Sequence, residues 1–178
     1  KKNKVRILTA QHVCEEQTSE ALGLIFENKN GEYDYPTFKL KVYFYGKSYD
    51  SIVIKSDPTN DLCVMEIQSE YSHKIKTVQV ANQKPKMGEE VYSLSAPLGI
   101  ASNFTRLKFH GSWAGCDSEL VGEDYCYYTI PAAPGSSGSG VFNKSGELVS
   151  ILSIAMKGFD EISGGPRQFF IKDILRKN

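Results

Sequence analysis

The sequence predicts an all-β fold of antiparallel strands, arranged as barrels or sandwiches. Three observations carry that prediction: many short apolar segments recur at regular spacing, one of them alternates apolar residues with lysine, and clear turn residues separate them. The series opens with Val5-Arg6-Ile7-Leu8-Thr9-Ala10-Gln11-His12-Val13, a β-branched run that delivers a histidine at the end of a strand. Residues 22–26, 38–45 and 51–54 read as further strands, and 38–45 shows the period of two expected of a half-buried strand. Asn30-Gly31 and Tyr45-Gly46 mark turns. Asn60-Asp61-Leu62-Cys63-Val64-Met65-Glu66-Ile67 closes a first module, with an aspartate opening its strand. Residues 76–82 form a connection with room for an edge strand. A second module runs through strands at 91–95, 104–111, 125–130, 140–143, 148–154 and 168–171. Asn143-Lys144-Ser145-Gly146-Glu147 is a hairpin turn between two of these. Residues 171–177 predict a terminal helix, because Ile171, Ile174 and Leu175 fall at helical spacing. No internal repeat is visible.

At 178 residues the chain is long enough for one or two compact modules with a real core. Its 21 basic and 21 acidic residues cancel, leaving no electrostatic footprint for nucleic acid or an anionic membrane. No apolar run approaches transmembrane length and no signal-peptide pattern opens the chain, so the sequence assigns no compartment. The four cysteines allow three disulfide connectivities. Cys14 and Cys63 each lie two residues past a residue of interest, and Cys116 and Cys126 flank a hairpin loop, so both pairs could bridge. Four buried thiols are the reading favoured here, because no spacing resembles a disulfide-dense scaffold or a metal site.

The most informative stretch is Pro134-Gly135-Ser136-Ser137-Gly138-Ser139-Gly140-Val141, a tight turn of small residues that runs into a strand. Such a turn can present a serine hydroxyl while backbone N–H groups point at the same spot, as acyl transfer requires. A flexible linker has the same composition. The His12 and Asp61 segments favour the chemical reading. A serine nucleophile needs a base to take its proton and a carboxylate to fix the base's tautomer. His12, Asp61 and a serine of the turn supply these, each at a strand edge. On composition alone Ser136 and Ser139 rival Ser137.

Thr9-Ala10-Gln11-His12 resembles the T-A-A-H histidine motif of trypsin-like serine proteases of the chymotrypsin superfamily. Asp61-Leu62-Cys63-Val64 is similar to that family's D-[LI]-A-[LV] segment, and Gly135-Ser136-Ser137-Gly138-Ser139-Gly140 to its nucleophile loop. Val91-Tyr92-Ser93-Leu94-Ser95-Ala96-Pro97-Leu98-Gly99 resembles a segment of the compact HtrA-like branch, which with the bacterial glutamyl endopeptidases is the nearest group. The resemblance implies two antiparallel six-stranded-type barrels and a short C-terminal helix. Residues 1–75 would carry the histidine and aspartate, and residues 76–178 the nucleophile. Only eleven residues precede His12, so the resemblance also implies a first barrel short of its first strand, completed by an upstream segment or a partner strand.

By that resemblance His12 is general base and then general acid, Asp61 orients it, and Ser137 attacks the scissile carbonyl. The backbone N–H groups of Gly135 and Ser137 form the oxyanion hole, and a side chain at Gly135 would crowd the substrate and restrict the backbone. Ser136 stands where trypsin has the aspartate of its zymogen switch, so that switch is expected to be absent. Pro131, Ala132 and Ala133 match one wall of the primary specificity pocket, and Ser153, Ile154 and Ala155 match another. Ser153 also falls where the family has a serine that supports the triad aspartate. No acid lies in these walls, so a small or aliphatic P1 residue is expected, with Arg167 and Gln168 near a third wall able to change that. His73 and His110 receive no role. The expected activity is a serine endopeptidase acting on protein or peptide substrates without metal or cofactor. The alternatives are a catalytically silent binding module and a protease that processes viral or phage precursors. A lipase or esterase fits neither the motif order nor the β pattern.

Overall fold

The structure is a computed structural model that describes residues 3–15, 17–18, 26–27, 30, 33–34, 37–38, 41–44, 46–102, 106–117, 125–156 and 158–176. Strand β1 (Asn3–Thr9) leads into the one-turn helix α1 (Gln11–Cys14). Four two-residue strands follow: β2 (Gln17–Thr18), β3 (Phe26–Glu27), β4 (Tyr33–Asp34) and β5 (Thr37–Phe38). Next come β6 (Lys41–Phe44), β7 (Lys47–Asp50), β8 (Ile52–Asp57) and β9 (Leu62–Ser69). The second half holds β10 (Glu90–Ser95), β11 (Leu107–Asp117), β12 (Tyr125–Tyr128) and β13 (Gly140–Asn143). It ends with β14 (Leu148–Ile151), β15 (Ile154–Met156), β16 (Phe159–Pro166) and the helix α2 (Gln168–Arg176).

The all-β, antiparallel expectation holds. A three-stranded sheet has the order β1-β9-β8, and a seven-stranded sheet the order β14-β13-β10-β11-β12-β16-β15. Among the described residues neither sheet closes on itself. Strand β9 is central in the small sheet, and its apolar run from Leu62 to Ile67 is buried throughout. Burial on both sides is what a near-continuous apolar strand demands. The carboxylate of Glu66 within that run is neutralised by Lys4 at 2.9 Å on the neighbouring strand.

Three segments differ from their sequence reading. Residues 168–171 are the start of helix α2 and not a strand, because Ile171 and Ile174 are buried one turn apart while Phe169 is 66% exposed. Lys55 on β8 donates to the carbonyl of Ile174 at 2.9 Å, which supplies a cation to the helix C-terminus. The closing strand is instead β16, which carries Gly164 and Gly165 and was not assigned from sequence. Those glycines are demanded by packing: a Cβ on Gly165 would lie 1.8 Å from the Ile151 carbonyl oxygen. The strand expected at 148–154 divides at Leu152-Ser153 into β14 and β15. The strand expected at 22–26 falls largely outside the described residues.

Two buried clusters hold the molecule together. One fills the large sheet with Val91, Trp113, Tyr128, Ile130, Val141, Val149 and Leu152. The other joins Ala10, Leu62 and Val64 of the small-sheet region to Leu148 and Ile151 of the large sheet and to Ile171 and Ile174 of α2. That second cluster brings the end of β1 and the start of β9 against the loop that precedes β13.

Candidate active site

Asp61 sits in the turn between β8 and β9 at a positive φ of 49°, a conformation that a short polar side chain tolerates. Asp57 braces this turn, accepting from the Asn60 side-chain amide at 2.8 Å. Gln11 N–H donates to the Asp61 carbonyl at 3.1 Å and ties α1 to the turn. His12 lies in α1, one turn past the end of β1, and not in the strand itself. Its backbone N–H donates to Asp61 Oδ1 at 2.9 Å, and its Nδ1 lies 2.8 Å from Oδ2 and 3.1 Å from Oδ1. A carboxylate only accepts, so Nδ1 carries the proton and Nε2 keeps its lone pair.

The cysteines are paired, not free as the sequence reading favoured. Cys14 is bonded to Cys63, and Cys116 to Cys126. The first disulfide joins the residue two past His12 to the residue two past Asp61. Sequence spacing could not settle this, since the partners lie 49 residues apart and meet only through strand order.

Ser153 donates its hydroxyl to Asp61 Oδ2 and its N–H to the Gly164 carbonyl at 2.9 Å. The electrostatics follow from these contacts. The hydrogen bond to Asp61 raises the His12 imidazole above its ordinary value, against a smaller lowering from burial. Burial alone would push the Asp61 carboxyl up, but hydrogen bonds from His12 and Ser153 together hold it below its ordinary value.

The serine loop is a series of tight turns. Ser136 N–H donates to the Ala133 carbonyl at 2.9 Å, Ser139 N–H to that of Ser136 at 3.1 Å, and Gly138 N–H to that of Leu152 at 2.7 Å. Ser136 is buried and its hydroxyl faces the Ala133 N–H, whereas Ser137 is half-buried and lines a cavity. Gly138 has a φ of +79°, and a Cβ there would overlap the Thr9 hydroxyl at 1.9 Å. Glycine thus lets the residue after Ser137 press against the residues just before His12. The Ser137 hydroxyl forms no hydrogen bond to His12 among the described residues, a contact that in such sites often tightens only with substrate bound. Gly135 and Ser137 offer backbone N–H groups with no intramolecular acceptor among the described residues. Glycine at 135 is required by the backbone itself. Its φ is +92°, and a Cβ would lie 2.8 Å from the Ala96 carbonyl oxygen.

A cavity of about 770 Å³ opens beside Ser137. Pro131, Ala132, Ala133, Ser153, Ile154 and Ala155 all line it. Phe109, Met156 and Pro97 line it too and were not singled out from sequence; Met156 directly follows the matched wall, while Phe109 reaches the cavity only through β11. Arg167 and Gln168 do not line it; they stand at the start of α2. His73 and His110 lie on the surface, bonded to the Glu70 carbonyl and the Glu90 carboxylate. Among the described residues no group of three or more His, Cys, Asp or Glu could hold a metal, and no helix is long and apolar enough to cross a membrane.

Residues 1–151 match the family described as the trypsin-like peptidase domain. No curated protein matches the sequence. Among solved structures, the active form of the Rv3671c protease from M. tuberculosis superposes with a TM-score of 0.70 at 16% identity, over 97% of this chain and 68% of that one. Its inactive form gives 0.68 at 15% identity, over 96% and 77%. The serine endoprotease from Yersinia pestis gives 0.64 at 17% identity, over 96% of this chain and 52% of that one. At such identities the likeness is one of fold.

Proposed function

The chain belongs to the trypsin-like peptidase domain family, and from that premise we propose that it is a serine endopeptidase acting through His12, Asp61 and Ser137. One observation carries the proposal. The hydrogen-bonded His12–Asp61 pair lies against a serine loop that offers two backbone N–H groups without internal acceptors among the described residues. Ser137 Oγ attacks the substrate carbonyl while His12 Nε2 takes its proton. The Gly135 and Ser137 N–H groups receive the oxyanion of the tetrahedral intermediate. His12 then protonates the leaving amine, and water, activated by the same imidazole, releases the acyl group. Asp61 stabilises the imidazolium throughout, and Ser153 steadies Asp61.

The cavity beside Ser137 supports a small or aliphatic P1 residue. Among the described residues its lining is proline, alanine, leucine, isoleucine, methionine and phenylalanine with three serines, and no ionisable side chain. A charged P1 group would be buried there unpaired, at a cost of several kcal/mol. A peptide library varied at P1 tests this together with the activity. Cleavage after Val, Ala or Leu is expected, favoured over Lys, Arg or Glu by about 10²-fold or more, and absent in Ser137→Ala. Preferred cleavage after a charged residue would refute the pocket assignment. No Ser137-dependent cleavage of any peptide would refute the activity.

A further inference from the structure

Ser153 has one hydroxyl proton, and that proton is committed. A carboxylate accepts only, so the contact between Ser153 Oγ and Asp61 Oδ2 uses it. Ser153 Oγ also lies 3.3 Å from the hydroxyl oxygen of Tyr125. With its own proton on Asp61, Ser153 can only accept there, and Tyr125 O–H is the donor. The result is one directed chain. Tyr125 donates to Ser153, Ser153 donates to Asp61, and His12 Nδ1 donates to the same Asp61 oxygen at 2.8 Å.

The fold aims this hydroxyl. Tyr125 opens β12 and is 4% exposed. Ser153 lies between β14 and β15, tied by its N–H to Gly164 of β16. Strand β16 stands between β12 and β15, so the Tyr125 side chain reaches across β16 to meet Ser153. On the face that Tyr125 shares with Tyr127, the β16 residue opposite Tyr127 is Gly164, which puts no side chain in the way. The Cys116–Cys126 disulfide fixes the register pair next to Tyr125. The neighbouring tyrosines do not join the chain. Tyr128 donates to the Ile151 carbonyl at 2.7 Å, and the Tyr127 hydroxyl has no partner among the described residues. Tyr125 does not line the cavity beside Ser137, so any effect it has on the reaction passes through Ser153.

We propose that Tyr125 is a positioning residue of this site: its hydroxyl holds the Ser153 proton on Asp61 and extends the hydrogen-bonded chain behind His12 as far as β12. This rests on the serine-peptidase reading above. Buried donors in series polarise one another, so the Tyr125 bond strengthens the Ser153 bond to Asp61. That second bond is one of those that keep Asp61 ionised. Without Tyr125, Ser153 is free to turn from Asp61, and the carboxylate's charge falls more heavily on His12.

Tyr125→Phe removes the hydroxyl and keeps the ring. It leaves in place the two carboxylates that act on His12, Asp61 and Glu15. The acid limb of kcat/KM is expected to move up in pH, so that on its acid side kcat/KM falls about 3- to 10-fold while KM changes little. Loosened packing around Asp61 would instead weaken the contact that raises His12 and move the limb down. In a Ser153→Ala background the same change is expected to cost less than about 1.5-fold, because the chain is already cut. Tyr127→Phe removes a hydroxyl unpartnered among the described residues from the same face of β12, and is expected to leave the profile unchanged. A Tyr125→Phe profile that superposes on wild type, a limb that moves down, or an equal loss with and without the Ser153 hydroxyl would overturn the inference. A wild type without Ser137-dependent hydrolysis would overturn the peptidase reading and this inference with it. Should Tyr125→Phe fail to fold, fluorotyrosine placed at position 125 alone provides a second measurement. Fluorine makes the hydroxyl a stronger donor, so the limb is expected to move down; an unmoved limb would overturn the inference.

Discussion

His12 reads its surroundings through one carboxylate. Asp61 accepts from both the imidazole and the backbone N–H of His12, so it fixes the ring's tautomer and favours its charged form. The pH dependence follows with a definite sign. The imidazole is raised above its ordinary 6.5, so its share of stability is complete below that value and is lost as pH rises through the raised one. Asp61 is lowered from its ordinary 3.8, so its share is present above that value and is lost as pH falls through the lowered one. A general base works only when neutral, and kcat/KM is therefore expected to rise with pH along an acid limb centred above 6.5. Asp61→Asn removes the raising contact and leaves the lowering effect of burial. The limb should move down in pH and kcat should fall by about 10⁴-fold, as a pH–rate profile of the variant would show. At this scale the meeting of His12 with Asp61 was legible in their motif residues. The bond from Leu98 N–H to the Pro134 carbonyl at 2.6 Å was not legible, because nothing in a Pro-Leu-Gly string reveals where one N–H points.

The elements that carry the site are joined by features of different visibility. The Cys14–Cys63 disulfide ties α1 to β9, the two elements that hold His12 and Asp61. Closing a loop between residues 49 apart stabilises the fold by about 4 kcal/mol on the chain-entropy account. Cys14→Ser with Cys63→Ser is expected to lower unfolding free energy by about that amount, read by denaturant titration. Gly138 joins the serine loop to β1. Gly138→Ala would overlap Thr9, so a displaced loop and a loss of about 10²-fold or more in kcat/KM are expected, measured on folded protein. The terminal helix was legible from its spacing, but it begins three residues before the expected 171, where aromatic residues look like a strand. Strand β16 was not assigned, because its Gly164-Gly165 pair, which packing requires, breaks the apolar pattern.

For the molecule as a whole, the decisive contact is the buried cluster in which Ala10, Leu62 and Val64 meet Leu148, Ile151, Ile171 and Ile174. It brings His12 and Asp61, beside the small sheet, to the serine loop of the large one. The antiparallel all-β character was legible from strand spacing and turn residues, since both are local. The docking of the sheets was not, because it depends on side chains far apart in sequence. This docking is expected to produce an activated serine. Labelling with a fluorophosphonate probe tests it most directly, comparing wild type with Ser137→Ala and His12→Ala. Covalent labelling of Ser137 in the wild type, abolished in both variants while they remain folded, is the expected result. Folded wild-type protein that takes no label, or a label that persists in Ser137→Ala, would contradict it.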